Sequence, residues 1–318
     1  MTGWDITEDD AKRFEHLLSF LTRLAADGVS PLIEKQVITM LDQSLPFFSH
    51  LLYKDSFTEL TRISINKKVL GKNQRIKEIK YLHYPPPDKV KAYGRCNLPG
   101  QSALYATFNL LTAFGEMKPA LGDLVTVSKW VLRVPDTPML FCPIFKNQPV
   151  RDNVYNPRTR QFDLLYQQKL ASFPKHVARQ IDALTQFIAD AFTRRVKPQN
   201  DLDYIFSAYF SNKILNEFEA GSIDAIYYPS VPGDLSFENI AIKPAVFDRL
   251  YRIDEVSDAI VVTTPENGRG GYFRNGLGHC RGFNFLTGEI LWDPKDLETN
   301  QDTILDLKWR QGFDFALE

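Results

Sequence analysis

The segment Gly94-Arg95-Cys96-Asn97-Leu98-Pro99-Gly100 opens the part of the chain with the densest chemistry. It is followed by Ala103-Leu104-Tyr105-Ala106 and then by Thr112-Ala113, with Glu116 three residues on. An arginine in a glycine-bounded turn, a tyrosine on a short strand and a glutamate on the next helix supply a cation, a flat aromatic face and a carboxylate. Asn109 is a plausible cap for that helix, with Leu110, Leu111, Ala113, Phe114 and Met117 as its apolar positions. Glu116 falls two turns into a mostly apolar face, where an unpaired carboxylate is costly, so it calls for a cationic partner or a chemical task. The bland alternative is a turn, a strand and a helix with one buried charge pair.

Other familiar chemistries are not supported. Gly276 and Gly278 lie in a glycine-rich run, but the spacing to Gly282 does not fit a dinucleotide fingerprint and no helix opens there. There is no phosphate-binding Gly-x-x-x-x-Gly-Lys-Ser/Thr loop and no Gly-x-Ser-x-Gly elbow. The histidines (His16, His50, His83, His176 and His279) are scattered, and Cys96, Cys142 and Cys280 are far apart with no metal-ligand spacing, so no metal site is expected. Cys96 is read as a packing residue. Three unclustered cysteines fit a reducing cytosol.

The elements that must position these residues follow from periodicity. Thr7 can cap a helix with Phe14, Leu17, Leu18, Leu21 and Leu24 on one face, ended by Gly28. Ser30-Pro31 offers a cap and first-turn proline for a second helix, with Val37, Met40 and Leu41, running to Pro46. Strands are expected at 60–65, 102–107, 123–134, 225–228, 239–242 and 259–264, and helices at 174–195 and 201–219. The stretch 135–172, rich in Pro, Asn and Gln, reads as mostly loop, and 268–318 as hairpins and an irregular tail. No regular βαβ rhythm appears, which favours an α+β fold. The expected organisation is an N-terminal helical extension (1–57), a main domain (58–265) with a loop-rich insertion near 135–172, and a C-terminal hairpin and tail (266–318) packed on the domain.

Composition bounds the remaining classes. The 318 residues are 44% hydrophobic, 24% charged and 13% aromatic, ordinary for a folded globular chain. A net charge of −1 argues against nucleic acid or an anionic membrane as partner. The pairs Arg194-Arg195 and Lys67-Lys68 read as solvated surface. The acidic N-terminus has no signal-peptide pattern and no apolar run reaches spanning length, so a cytoplasmic location is expected.

Taken together, Arg62, Gly94-Arg95-x-Asn97-x-x-Gly100, Leu104-Tyr105, Thr112-Ala113-x-x-Glu116, Tyr228-Pro229-Ser230-Val231 and Asn239-Ile240-Ala241-Ile242-Lys243-Pro244 resemble the RES domain family, named for its Arg, Glu and Ser. The resemblance spans residues from about 58 to about 250. It implies an ADP-ribosyltransferase-like mixed or antiparallel split sheet with flanking helices, and an enzyme that destroys NAD by glycohydrolysis or phosphorolysis, with NAD as substrate rather than as a cofactor. Many members are toxins or growth-arrest effectors held by an antitoxin or immunity protein. Carried over by position, Arg95, Tyr105, Glu116 and Ser230 are the catalytic set, and Arg62, Asn97 and Asn239 line the NAD pocket. Arg95 and Arg62 suit the pyrophosphate, Tyr105 the nicotinamide ring, Glu116 the ribose, and Ser230 the orientation of Glu116 or substrate. The chain departs from the family in its length, in Cys96 where tryptophan is common, and in the long span from Glu116 to Ser230. These differences bear on the toxin–antitoxin setting more than on the chemistry. Two alternatives stand beside NAD cleavage: protein ADP-ribosylation, and a catalytically silent binding module. The apolar faces of the N-terminal helices suit either a homo-oligomer or another protein.

Overall fold

A computed structural model describes residues 7–44, 51–148, 158–196, 200–265 and 271–317. In chain order the helices are α1 (Glu8–Asp27), α2 (Glu34–Ser44), α3 (Asn66–Leu70), α4 (Leu110–Met117), α5 (Thr159–Ala171), α6 (Lys175–Thr193), α7 (Ile205–Asn212), α8 (Pro244–Leu250), α9 (Lys295–Thr299) and α10 (Gln301–Leu305). The strands are β1 (Tyr53–Asp55), β2 (Glu59–Ile65), β3 (Leu104–Thr107), β4 (Leu124–Leu132), β5 (Met139–Pro143), β6 (Ala225–Pro229), β7 (Glu238–Ile242), β8 (Tyr251–Thr263), β9 (Phe273–Cys280), β10 (Phe283–Asn284) and β11 (Glu289–Ile290). The fold is α+β, as expected. Among the described residues no helix is long and apolar enough to cross a membrane.

The chain divides into two compact units, each assembled from three separate segments. The first holds residues 1–55, 86–103 and 139–243. Its strands run in the order β1-β5-β6-β7. β5 and β6 are parallel, and their neighbours are antiparallel. A parallel pair needs a long crossover, and α5, α6 and α7 supply it. The stretch 135–172 is therefore not mostly loop: it contains β5 and the 13-residue α5, while 149–157 lie outside the described residues. The apolar positions of α5 do not keep to one face, since Leu164 is exposed while Phe162 and Tyr166 are buried, so its helical stripe is faint. Phe162 and Tyr166 anchor it against Phe141, Phe145 and Tyr227. α6 buries Val177, Ile181, Leu184, Ile188 and Phe192 on one face, as its periodicity predicts. It packs on α1, where Arg179 pairs with Glu15 at 3.0 Å.

Thr7 caps α1 through a reciprocal box with Asp10. The second helix starts later than Ser30-Pro31 suggests. The Ser30 carbonyl is taken by the Ile33 N–H at 3.1 Å in a turn, and the α-helix begins at Glu34. Pro46, expected to end it, lies outside the described residues.

The second unit holds residues 56–85, 104–138 and 244–318, with strands ordered β3-β2-β4-β8-β9, all antiparallel. Side chains alternate across a strand, so β2, β4 and β8 bury two different faces. Ile63, Ile65, Val125, Val127, Ala259 and Val261 meet Ala113 and Phe114 of α4 on one face. On the other, Leu124 and Ile260 meet Leu277, Leu307, Phe315 and Leu317. The glycine-rich stretch forms β9, hairpinned onto β8, and the tail adds the β10–β11 hairpin, α9 and α10. A buried ion pair, Arg75 to Asp258 at 2.6 Å, ties the segment after α3 to β8.

Candidate functional site

Arg62, Tyr105 and Glu116 belong to the second unit. Arg62 sits mid-strand on β2, and alternation turns it to the face opposite Ile63. Its Nη1 donates to the Tyr105 carbonyl at 2.7 Å, which joins β2 to β3 through a side chain. Its Nε is shut off from solvent and has no hydrogen-bond partner among the described residues. Burial draws the guanidinium down to about 10, with the Tyr105 phenol acting in the opposite direction. The charge therefore persists at neutral pH. A buried cation with an unused N–H is an arrangement that favours an anion, because an unmade hydrogen bond at a charged group is expensive. Ser64, two residues along the same face, likewise has a buried hydroxyl with no partner among the described residues.

Glu116 lies in the last turn of α4. Asn109 caps the helix, its Oδ1 accepting from both the N–H and the hydroxyl of Thr112 at 2.8 Å. Glu116 is half-buried, one turn beyond Thr112 on the same flank. α4 covers the Ile63 face and Arg62 the other, so helix packing alone does not carry Glu116 to Arg62.

Arg95, Asn97, Ser230 and Asn239 belong to the first unit. The Gly94–Asn97 turn is closed by two backbone hydrogen bonds, Gly94 N–H to Asn97 O at 3.0 Å and the reverse at 3.4 Å. Asn97 is buried and its amide donates to Leu98 O at 3.1 Å, so it shapes the turn. Arg95 leaves that turn toward the C-terminal end of α6. It donates to the carbonyl of Phe192 and, at 3.3 Å through Nη2, to that of Arg194, with its guanidinium 5.0 Å from the Tyr204 ring centre. The last carbonyls of a helix have no intrahelical donor, and a cation there is favoured by the helix dipole. The side chain thus clasps a helix end. Cys96 beside it is buried and its thiol is pushed up to about 12 by desolvation, so it remains a neutral packing group.

Ser230 follows β6 and is fully buried. Its N–H donates to Phe237 O at 2.7 Å and its carbonyl accepts from Leu235 N–H at 3.0 Å, which closes the turn into β7. Asn239 pairs in register with Tyr228. Opposed residues share a face, so Tyr228, Asn239 and the following Ser230 project to the same side of the sheet. Phe192 packs there, its ring 5.8 Å from that of Tyr228. Arg95 is therefore connected to this face through the residue whose carbonyl it holds.

One group escaped the sequence reading. Glu238, next to Asn239, is buried on the opposite face. Burial raises its carboxyl to about 7 against the counteracting Tyr227 hydroxyl and Arg158. Its Oε1 has no hydrogen-bond partner among the described residues. Arg158 is itself bonded to Asp55 at 3.0 Å. Extending the strand at 239–242 back by one residue would have placed Glu238 opposite Pro229 and hence inside the sheet.

No family model matches the chain, and neither a curated protein nor a solved structure matches it.

Proposed function

We propose that this chain binds NAD and cleaves its nicotinamide–ribose bond. The observation that supports this most is Arg62: a guanidinium drawn into the second unit, still charged at neutral pH, with a solvent-excluded Nε unused by the described residues. A pyrophosphate oxygen would supply the missing acceptor. Cleavage builds positive charge on the ribose, and a carboxylate beside it lowers the barrier by binding that charge more strongly than the ground state. Glu116 is assigned this role from its place in the strand-to-helix segment, although α4 and Arg62 lie on opposite faces of the sheet, and Tyr105 offers the nicotinamide a ring face. Water or phosphate accepts the ADP-ribose. Arg95, engaged with the end of α6, acts as a positioning residue for the Tyr228–Ser230 face rather than as a phosphate ligand.

A second reading, a silent nucleotide-binding module, is favoured by that same engagement of Arg95, which removes one of the two arginines assigned to the pyrophosphate. Nicotinamide release from NAD by purified protein separates the two. We expect turnover that Glu116→Ala lowers by about 10²–10³-fold at nearly unchanged NAD affinity, with Arg62→Lys raising KM. Binding without turnover in well-folded protein selects the silent module, and absence of both overturns NAD as ligand.

A further inference from the structure

A separate cavity of about 340 Å3 opens in the second unit, within the range of small-molecule sites. Its inner lining is aromatic and buried. Trp130 and Phe247 meet edge to face at 4.8 Å between ring centres, and Tyr251 stacks on Phe247 at 5.6 Å with planes 16° apart. His83 stands edge-on to both Trp130 and Phe247, at 4.9 and 5.7 Å. The rings are pinned: the Trp130 indole N–H donates to Ser128 Oγ at 2.9 Å, and the Tyr251 hydroxyl donates to Phe57 O at 2.8 Å. At the mouth stands Phe285, 66% exposed, a large apolar ring that the fold leaves uncovered.

The polar groups of the lining are the cations Lys80, Arg133 and the exposed Arg252, the carboxylate Asp248, and the His83 ring. Arg133 is exposed at the rim and its side chain has no partner among the described residues. Lys80, also at the rim, is held by Glu78 at 2.5 Å. Asp248 accepts the Tyr84 hydroxyl at 2.6 Å and lies 4.0 Å from His83 Nδ1, with one face left to the cavity. In the lining, Lys80, Arg133 and Arg252 outnumber the single carboxylate, Asp248.

We propose that this cavity is a mononucleotide site. The aromatic lining takes a base, with Phe285 closing over it. Arg133, helped by Lys80 in exchange for Glu78, takes the phosphate. Asp248 accepts a ribose hydroxyl. Each of the three chemistries of a nucleotide finds one group suited to it, which a purely apolar or purely anionic ligand would not use. The site does not depend on the NAD reading.

The test is calorimetric titration with AMP, alongside adenosine and inorganic phosphate alone, in wild type and in Arg133→Ala and Phe285→Ala. Both positions are exposed, so neither substitution threatens the core. Saturable AMP binding, weakened about tenfold or more in each variant and weaker for adenosine or phosphate alone, supports the site. Nicotinamide release should be unchanged in both variants, and Glu116→Ala should keep AMP binding. The proposal is overturned by no saturable AMP binding at millimolar concentration, or by AMP binding that both variants leave intact. Loss of AMP binding on Arg62→Lys with retention in Arg133→Ala also overturns it, since the nucleotide then occupies the site proposed for NAD.

Discussion

Glu238 carries a titratable group into the sheet of the first unit, and its effect on stability has a definite sign. Desolvation raises its folded value to about 7, above the 4.5 of an ordinary glutamate. Folding therefore favours the protonated form. The group's contribution is complete below about 4.5, declines as pH rises through the window to about 7, and stays low above it. Glu238→Gln keeps a polar amide for Tyr227 and removes the slope. Urea midpoints should show the variant gaining on wild type by up to about 3 kcal/mol between roughly pH 4.5 and pH 8. Parallel pH profiles for the two proteins would show that Glu238 titrates normally. Such a residue has no distinctive neighbours along the chain. It pairs with β6, and the cation that acts on it, Arg158, lies eighty residues upstream.

At the scale of elements, what could be read from the chain was local. Thr7, Asn109 and the apolar stripe of α6 act within one or two helical turns, and each is found where its spacing implies. α5 was not legible because two aromatic rings, Phe162 and Tyr166, hold it by contacts with strands and not by a continuous stripe. The same division runs through the site residues. Arg62 and Tyr105 are joined by neighbouring strands, and the Gly94–Asn97 turn is closed on itself, so their types and spacing carry meaning. The task of Arg95 depends on the end of a helix about a hundred residues later, which no motif discloses. If that clasp is its work, Arg95→Ala leaves the carbonyls of Phe192 and Arg194, at the end of α6, without this donor and should cost about 1–3 kcal/mol in denaturant unfolding. NAD turnover should fall in proportion to the folded fraction and recover at low temperature. A large rise in KM with unchanged stability would instead return Arg95 to the phosphate.

For the whole molecule, the connectivity matters as much as the elements. The chain passes between its two units after residues 55, 85, 103, 138 and 243, so neither unit is a continuous piece of sequence. A composition-based boundary has nothing to mark in such an arrangement, because it presumes that each unit is one contiguous stretch of chain. It also makes the C-terminal segment indispensable. β8 pairs with β4 along nine registered positions, from Leu124 with Ile260 to Leu132 with Tyr251, and it supplies Ala259, Ile260 and Val261 to the two cores of the second unit. A fragment ending at residue 243 retains β2, β3 and β4 but opens the hydrogen-bonding edge of β4 and bares Leu124, Val125 and Val127. An apolar, unprotected edge strand is a template for aggregation. The fragment is expected to be insoluble or to elute as large aggregates in size-exclusion chromatography, although it contains all seven residues assigned to NAD. A soluble monomer with a cooperative melt would mean that β8 is dispensable, and that the second unit draws its stability from β2, β3 and α4 alone.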